Sequence, residues 1–403
     1  MSSNNLPLKN IKILELASVL AGPSVGMFFA ELGATVIKVE NLVTNGDVTR
    51  NWKLPTEADD DISGYFSSVN WGKLSLAIDI TRPEGLEIIH KLTTQCDIVL
   101  ASYKPGDDKK LKVDYETLSA LNPELIYAHL TGYGLNNPRP GFDAIIQAEA
   151  GFTYMNGEAD SMPVKMPVAL MDVLAAHHLK EAILISLLKR INTGRGEYID
   201  VSLIRSGIAS LVNQATNWLV GNSIPERLGS DHPNIVPYGT LFKTADNKEI
   251  VLAVGTEKHF HDLCAVLDAP ELFNDLRFKT NKDRVNHKEA LKELLRKKFL
   301  LHERDAMLEK LNAKRIPAGS VNNMKEVFET DEAKEMLLQD TINRGITGVR
   351  SVAFRFNRNG LVNNILPPPH YGDSTTEVLS SWLGFKEQYI NDLIEKQVIY
   401  AKK

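Results

Sequence analysis

The chain has 403 residues, too many for one small core, and its 43% hydrophobic and 24% charged content is that of an ordinary globular protein. A formal net charge of −5 lacks the basic footprint of a nucleic-acid binder, and no apolar run approaches the length that spans a bilayer. Two widely separated cysteines, Cys96 and Cys264, form neither a CxxC pair nor a disulfide framework, which fits a reducing compartment.

Met1 to Asn5 is short and polar, unlike a signal or transit peptide, and a cytoplasmic protein is the expectation. Ile11 to Leu16 reads as a buried strand, Ala21-Gly22-Pro23 as a break, Ser24 to Leu32 as a helix, and Ala34 to Glu40 as a second strand. This βαβ unit opens a doubly wound parallel sheet. Its turn lacks the G-x-G-x-x-G pattern, so it carries no dinucleotide fingerprint. Asn41 to Gly64 reads as a long polar surface loop. Leu74 to Ile80 is a third strand, Thr81 to about Gln95 a helix with proline in its first turn, and Asp97 to Ala101 a fourth strand. Tyr103-Lys104-Pro105-Gly106 then puts a cation at the carboxyl end of a strand, where open α/β sheets bind ligands. Tyr115 to Asn122 is a short helix and Leu125 to Leu130 a fifth strand. Thr131 to Gly141 is a Gly- and Pro-rich loop, and Phe142 to Gly151 a helix with Asp143 at its start.

Val168 to Met171 reads as a short buried segment, and Val173 to Leu188 as a helix apolar on nearly every side and therefore buried. Asp172 stands at their junction. An acid there is either an N-cap or a carboxylate kept ionised and fixed in direction, as a nucleophile requires, and the spacing alone favours the cap. His177 and His178 read as packed or hydrogen-bonded residues of that helix. Tyr198 to Leu203 is another strand, Ile204 to Val220 a single long apolar helix, and Asn222 to Tyr238 a linker. Beyond it come a hairpin (Leu241 to Thr244, Glu249 to Val254), helices near Lys258 to Leu267, Lys282 to Leu301 and Glu303 to Asn312, and a strand-like Arg315 to Val321. A meander follows from Val327, and Ser374 to Leu383 reads as the last helix. The expected fold is α/β. A Rossmann-like large domain spans 1–220 and 331–403, a linker 221–238, and a smaller α+β domain 239–330. No His/Cys cluster has metal-ligand spacing.

Several blocks occur in fixed order along nearly the whole chain. They are Ala21-Gly22-Pro23 with Glu31 to Glu40; Asn70-Trp71-Gly72-Lys73 with Asp79 to Gly85; Tyr103 to Gly106; Leu121-Asn122-Pro123; Thr131 to Gly134; Gly141-Phe142-Asp143 with Gln147-Ala148; Asp172; and Thr193 to Gly196 with Asp200 to Leu203. Together they resemble the class III coenzyme A transferases (the CaiB/BaiF type, with formyl-CoA and carnitine CoA-transferases). The resemblance implies an enzyme that moves coenzyme A from an acyl-CoA donor to a carboxylic acid acceptor. Asp172 would be its nucleophile, passing through an aspartyl anhydride and an aspartyl-CoA thioester. Coenzyme A is then a substrate, and no permanently bound cofactor or metal is implied. The same resemblance sets Leu20 and Ala21 beside the pantetheine arm and Ile78 and Asp79 on the strand that lodges adenosine. It sets Ser102, Tyr103, Lys104 and Lys110 along the nucleotide and phosphates, and Gly141, Phe142 and Asp143 next to the nucleophile. It also implies a homodimer of interlocked chains.

There are departures. Leu20 stands where the formyl-CoA branch has a glutamine and Asn41 where it has a phosphate-binding arginine. Thr81 replaces a basic residue, for which Arg82 is the neighbouring substitute. Pro233 to Thr240 replaces a glycine-rich loop. These changes argue against formyl-CoA and oxalate as the substrate pair. For an acceptor carboxylate, Arg50, Lys53 and Arg139 are the cations on offer. A racemase of the same superfamily resembling α-methylacyl-CoA racemase is the nearest rival. It needs a histidine where this chain has Phe142, and phenylalanine cannot take a proton. A non-catalytic CoA-binding protein is a second alternative, opposed by the retained Asp143 and Asp172. A nicotinamide oxidoreductase fails on the missing glycine fingerprint.

Overall fold

Apolar runs too short for helices and rich in Ile, Val and Leu assemble into one sheet in the computed structural model, which describes residues 6–342, 345–355 and 365–402. The strands are β1 (Lys12–Leu16), β2 (Thr35–Asn41), β3 (Lys73–Ile78), β4 (Ile98–Ala101), β5 (Ile126–Thr131) and β6 (Glu197–Ser202). They pair in parallel in the order β3-β2-β1-β4-β5-β6, and Ile399–Tyr400 closes the β3 edge antiparallel. A parallel sheet must be covered on both faces. On one face α2 (Pro83–Thr93) drives Ile88, Ile89 and Leu92 into a core with Leu14, Leu76 and Val99. On the chain's return, Thr375–Leu383 adds Val378 and Leu379 to the same core. Strand order reverses between β1 and β4, so their carboxyl ends diverge and leave a crevice, the place where such sheets bind ligands.

The remaining elements that frame this crevice are helices α1 (Ala21–Glu31), α3 (Asp143–Glu149), α4 (Leu170–Thr193) and α5 (Leu203–Ala209). α1 starts earlier than its sequence suggests. Ala21-Gly22-Pro23 is its first turn, not a break, because a proline there removes only an N–H that has no helical partner. α4 ends at Gly194, whose φ of 63° is a left-handed C-cap. It is not buried all round, as its composition suggests. Met171, Ala175, Leu179 and Ile183 face the interior, while Ile185, Leu188 and Ile191 are exposed, the last by 80%. Val168 is likewise exposed, so the segment leading into α4 is not a buried one.

The chain divides into two compact units. The first comprises Met1–Gly151, Met166–Thr216 and Glu335–Lys403. The second comprises Phe152–Lys165 and Asn217–Lys334, so a short excursion inside the expected large domain groups with the second unit. Within the second unit a three-stranded antiparallel sheet (Tyr238–Lys243, Glu249–Ala253, Ala318–Ser320) packs on helices. Its core has Phe242 stacked on Phe299 at 4.8 Å, with Ile250, Leu252 and Phe260. Two expected helices are broken. Lys282 to Leu301 is Asn281–Asn286 and Lys288–Phe299, interrupted at His287, and Ile204 to Val220 stops after Ala209 and resumes at Val212. Ser374 to Leu383 is not the last helix, since Glu387–Glu395 follows and buries Ile390 and Leu393. Met1 to Asn5 and parts of the meander, 343–344 and 356–364, lie outside the described residues.

Candidate active site

The crevice between β1 and β4 is built by two short turns. Ala17 to Leu20 carries β1 into α1, and Ser102 to Pro105 leaves β4. Val19 has φ of 72°, a left-handed conformation that a β-branched residue resists. Its N–H donates to the Asp47 carboxylate at 3.2 Å, and the Ser18 N–H donates to Ser102 Oγ at 3.3 Å, tying the two turns together. Asp47 is itself fixed by the Thr49 N–H and hydroxyl, at 3.0 and 2.8 Å, and by Lys38 at 2.9 Å. Behind it lies a buried charge network. Lys38 reaches Glu15 at 3.3 Å, Glu15 meets Lys73 at 2.8 Å, and Arg50 clamps Glu40 at 2.6 and 2.8 Å. Burial pushes the Lys73 ammonium down to about 8. The stretch Asn41 to Gly64 is therefore not simply a solvated loop, because Asp47, Thr49 and Arg50 are buried and Asp47 lines the crevice.

Two adjoining hollows, of about 400 and about 390 Å³, share Ser18, Val48, Ser102 and Tyr103 and so form one groove. The outer part reaches Ile78, Ile80 and Thr81 at the end of β3. At the inner end stand Asp143 and Asp172. α4 begins at Leu170 after Ala169, so Asp172 is the third residue of the helix and not its N-cap. The capping work falls to Asp143, which accepts the Met171 N–H at 2.8 Å and Gln147 Nε2 at 2.7 Å. Among the described residues no donor pairs with the Asp172 carboxylate. Burial, reinforced by the nearby Asp143 charge, raises its pKa from 3.8 to about 7. The sequence reading expected a carboxylate kept ionised. In the structure burial works against the ionised form, opposing the favourable helix N-terminus.

Backbone packing aims this pair. A Cβ on Gly141 would sit 2.3 Å from the Gly132 Cα, and one on Gly132 would sit 2.5 Å from the Gly141 Cα. Only two glycines let the loop after β5 fold back on itself and deliver Phe142 and Asp143 to the groove. Tyr65 lies near the site without lining the groove. It sits on a one-turn helix capped by Ser63, its ring edge-on to Trp52 at 4.9 Å, and the charges of Asp172 and Asp143 add to burial in raising its pKa. Nothing in the sequence distinguishes it from a loop tyrosine.

Most of the sequence-predicted residues converge here. Leu20, Ala21, Ser102, Tyr103 and Lys104 line the inner part of the groove, together with Gly141, Phe142, Asp143 and Asp172. Phe142 is 63% exposed at its mouth. Ile78 lines the outer part. Asp79, Arg82 and Lys110 are not among the lining residues. Asp79 accepts the Thr81 N–H and hydroxyl at 3.0 and 2.6 Å, with Arg82 3.8 Å away, and Lys110 pairs with Asp107 at 2.8 Å in the open. Among the described residues no histidine lines the groove. His177 is exposed rather than packed, and His178 pairs with Glu181 at 3.4 Å. Cys96 and Cys264 are buried, and burial pushes each thiol up to about 12, so neither offers a thiolate. Among the described residues no group of His, Cys, Asp and Glu is arranged to hold a metal, and no helix is long and apolar enough to cross a membrane. The arrangement is a buried, unpaired carboxylate at the end of a groove that begins over the outer strands. The starts of two helices, α1 and α4, converge on it.

Comparison with known proteins points the same way. Residues 8–375 match CoA-transferase family III. The chain is 35% identical to the human succinyl-CoA:glutarate CoA-transferase, over 98% of this chain and 91% of that protein. It is 34% identical to the succinate–glutarate CoA-transferase of Agrobacterium fabrum, over 94% and 96%. A crystal structure of a CaiB/BaiF family protein from Brucella suis superposes with a TM-score of 0.86 at 34% identity, covering 94% of this chain and all of that one.

Proposed function

The chain belongs to CoA-transferase family III and is a CoA-transferase, and from that premise we propose that it exchanges coenzyme A between succinyl-CoA and a second dicarboxylic acid, through covalent intermediates on Asp172. The observation that carries this reading is the Asp172 carboxylate, half-buried and without a hydrogen-bond donor among the described residues, at the inner end of a groove over the β1/β4 switch point. With no donor on it among the described residues, its ionised form is a stronger nucleophile than a hydrogen-bonded carboxylate.

The carboxylate attacks the thioester carbonyl of the donor. The C–S bond breaks, leaving a mixed anhydride on Asp172 and a CoA thiolate. The thiolate attacks the Asp172 carbonyl, forming the aspartyl-CoA thioester and releasing the donor acid as its carboxylate. The acceptor carboxylate then attacks that thioester, and the released thiolate takes the acceptor acyl group from the second anhydride, restoring Asp172. No net proton is consumed. Each tetrahedral oxyanion needs donors, and the backbone N–H groups of Ala21 and Gly22 at the start of α1 are suited to that task. Asp143 holds the Met171 N–H and so fixes the first turn of α4. Adenosine would lie toward Ile78 and pantetheine past Ser18, Ser102 and Tyr103. The racemase alternative is disfavoured, since Phe142 stands at its histidine position and among the described residues no histidine lines the groove.

The exposed apolar ridge Ile185, Leu188 and Ile191 on α4 supports the homodimer implied by the resemblance, which sedimentation velocity tests directly. The activity is tested by incubating the protein with succinyl-CoA and a panel of mono- and dicarboxylic acids and separating the CoA thioesters. A new dicarboxyl-CoA with matching loss of succinyl-CoA is expected. Exchange with monocarboxylates only, or none with any acid, refutes the substrate class.

A further inference from the structure

Three cations entered the sequence reading as possible partners of an acid's second carboxylate, and the structure separates them. Arg50 is committed to Glu40 and to the Asp61 and Pro369 carbonyls, and is almost fully buried. Lys53 is tied to the Ala58 and Asp60 carbonyls of its own loop. Neither lines the inner groove. Arg139 does, on the loop that also supplies Gly141, Phe142 and Asp143.

Its guanidinium is held at one corner only. Nη2 donates to Glu149 at 2.5 Å and to the Tyr133 hydroxyl at 3.1 Å, and the group lies over the Tyr133 ring, 4.3 Å from its centroid. Among the described residues no acceptor meets Nε or Nη1. The side chain is 56% exposed. A fork stacked on an aromatic ring and pinned at one nitrogen is preorganised, and its remaining donors match a carboxylate. Glu149 is the last residue of α3, whose first residue is Asp143 beside the nucleophile. One short helix therefore spans from the cation's anchor to the carboxylate that holds the first turn of α4.

We propose that Arg139 is the specificity-determining residue for dicarboxylic acids, binding through its Nε and Nη1 donors the carboxylate at the far end of the acyl chain, with Tyr133 and Glu149 as its positioning residues. The proposal rests on the CoA-transfer reading and deepens it. In that reading the donor acid leaves before the acceptor arrives, so both occupy the same place beside Asp172 in turn. One cation then serves the free carboxylate of succinyl-CoA and the distal carboxylate of the acceptor alike. A monocarboxylic acid of equal length leaves the fork unpaired and forfeits a charge-assisted bond.

The test uses one half-reaction, formation of the enzyme–CoA thioester from succinyl-CoA or from butyryl-CoA, its counterpart without the distal carboxylate. It compares wild type with Arg139→Gln and Arg139→Lys. The preference for succinyl-CoA in kcat/KM should fall by about 10- to 100-fold in Arg139→Gln and be partly retained in Arg139→Lys. An unchanged preference in Arg139→Gln overturns the proposal. Calorimetric binding of glutarate against pentanoate, with CoA present, needs no turnover and separates this proposal from the transfer reading. Loss of glutarate binding in Arg139→Gln supports the role of Arg139 even if no thioester forms, and equal glutarate binding by both proteins refutes it even if transfer proceeds.

Discussion

Replacing Asp143 by asparagine tests how the structure sets the reactivity of Asp172. The pKa of Asp172 stands at about 7 against an ordinary 3.8, a rise with two causes, burial first and the Asp143 charge second. About 3 pKa units correspond to roughly 4 kcal/mol of disfavour for the ionised form. Because burial is the larger cause, the Asp143 charge accounts for the smaller share of the rise. In wild type about a tenth of Asp172 is ionised at pH 6 and about nine-tenths at pH 8, so thioester formation from acyl-CoA should climb steeply across that range. In Asp143→Asn the acid limb should move downward, so that a larger fraction of Asp172 is ionised at pH 6 than in wild type. The introduced amide retains an oxygen for the Met171 N–H, so the first turn of α4 keeps its anchor, while the bond from Gln147 is lost at a cost of about 1 kcal/mol. The assay is single-turnover formation of the enzyme–CoA adduct from pH 5 to 9, with chemical denaturation alongside to confirm folding. An acid limb that stays in place, or moves upward, refutes the assignment of the Asp143 charge as a cause.

The same shift makes a stability prediction. For an acid whose folded pKa is raised, the stabilisation is complete below the unfolded value near 3.8 and lost as pH rises through about 7. Asp172→Asn should therefore be more stable than wild type at pH 8 by up to about 4 kcal/mol, and gain little near pH 4. A stability difference independent of pH, measured by urea unfolding, would contradict the burial of that charge. Gly141→Ala places a methyl 2.3 Å from the Gly132 backbone, so the loop must shift and carry Phe142 and Asp143 with it. A loss of about 100-fold in kcat/KM is expected, together with about 1–3 kcal/mol of stability. Wild-type turnover in this variant would show that the loop position does not matter.

What the sequence disclosed follows from how local each signal is. β1 to β6 were legible because short segments rich in Ile, Val and Leu, either continuous as in β4 or alternating as in β3 and β6, need no partner to be recognised. The Ala21-Gly22-Pro23 turn was misread because those residue types break helices in their interior and are tolerated in the first turn. α4 looked buried because composition reports that a face must be covered, not what covers it, and Ile185, Leu188 and Ile191 face outward. The Glu387–Glu395 helix was missed although Ile390, Leu393 and Ile394 have helical spacing, and its edge strand, two residues long, gives no periodicity to read. Among site residues, Asp172, Asp143 and the Ser102 to Lys104 segment emerged through the family blocks. The Glu15–Lys38–Lys73–Asp47 network did not, since each charge reads as a strand or loop residue until the register of β1, β2 and β3 brings them together. Arg82 and Lys110 were carried over from a family pattern, and their side chains pair locally instead of lining the groove.

The most direct measurement of the central claim is intact-protein and peptide mass spectrometry after incubation with succinyl-CoA, on wild type and Asp172→Ala. A CoA-mass adduct is expected on the peptide containing Asp172. Hydroxylamine should discharge it, glutarate or another dicarboxylate should remove it, and Asp172→Ala should lack it. An adduct on another residue, or CoA exchange that survives in Asp172→Ala, would contradict the account.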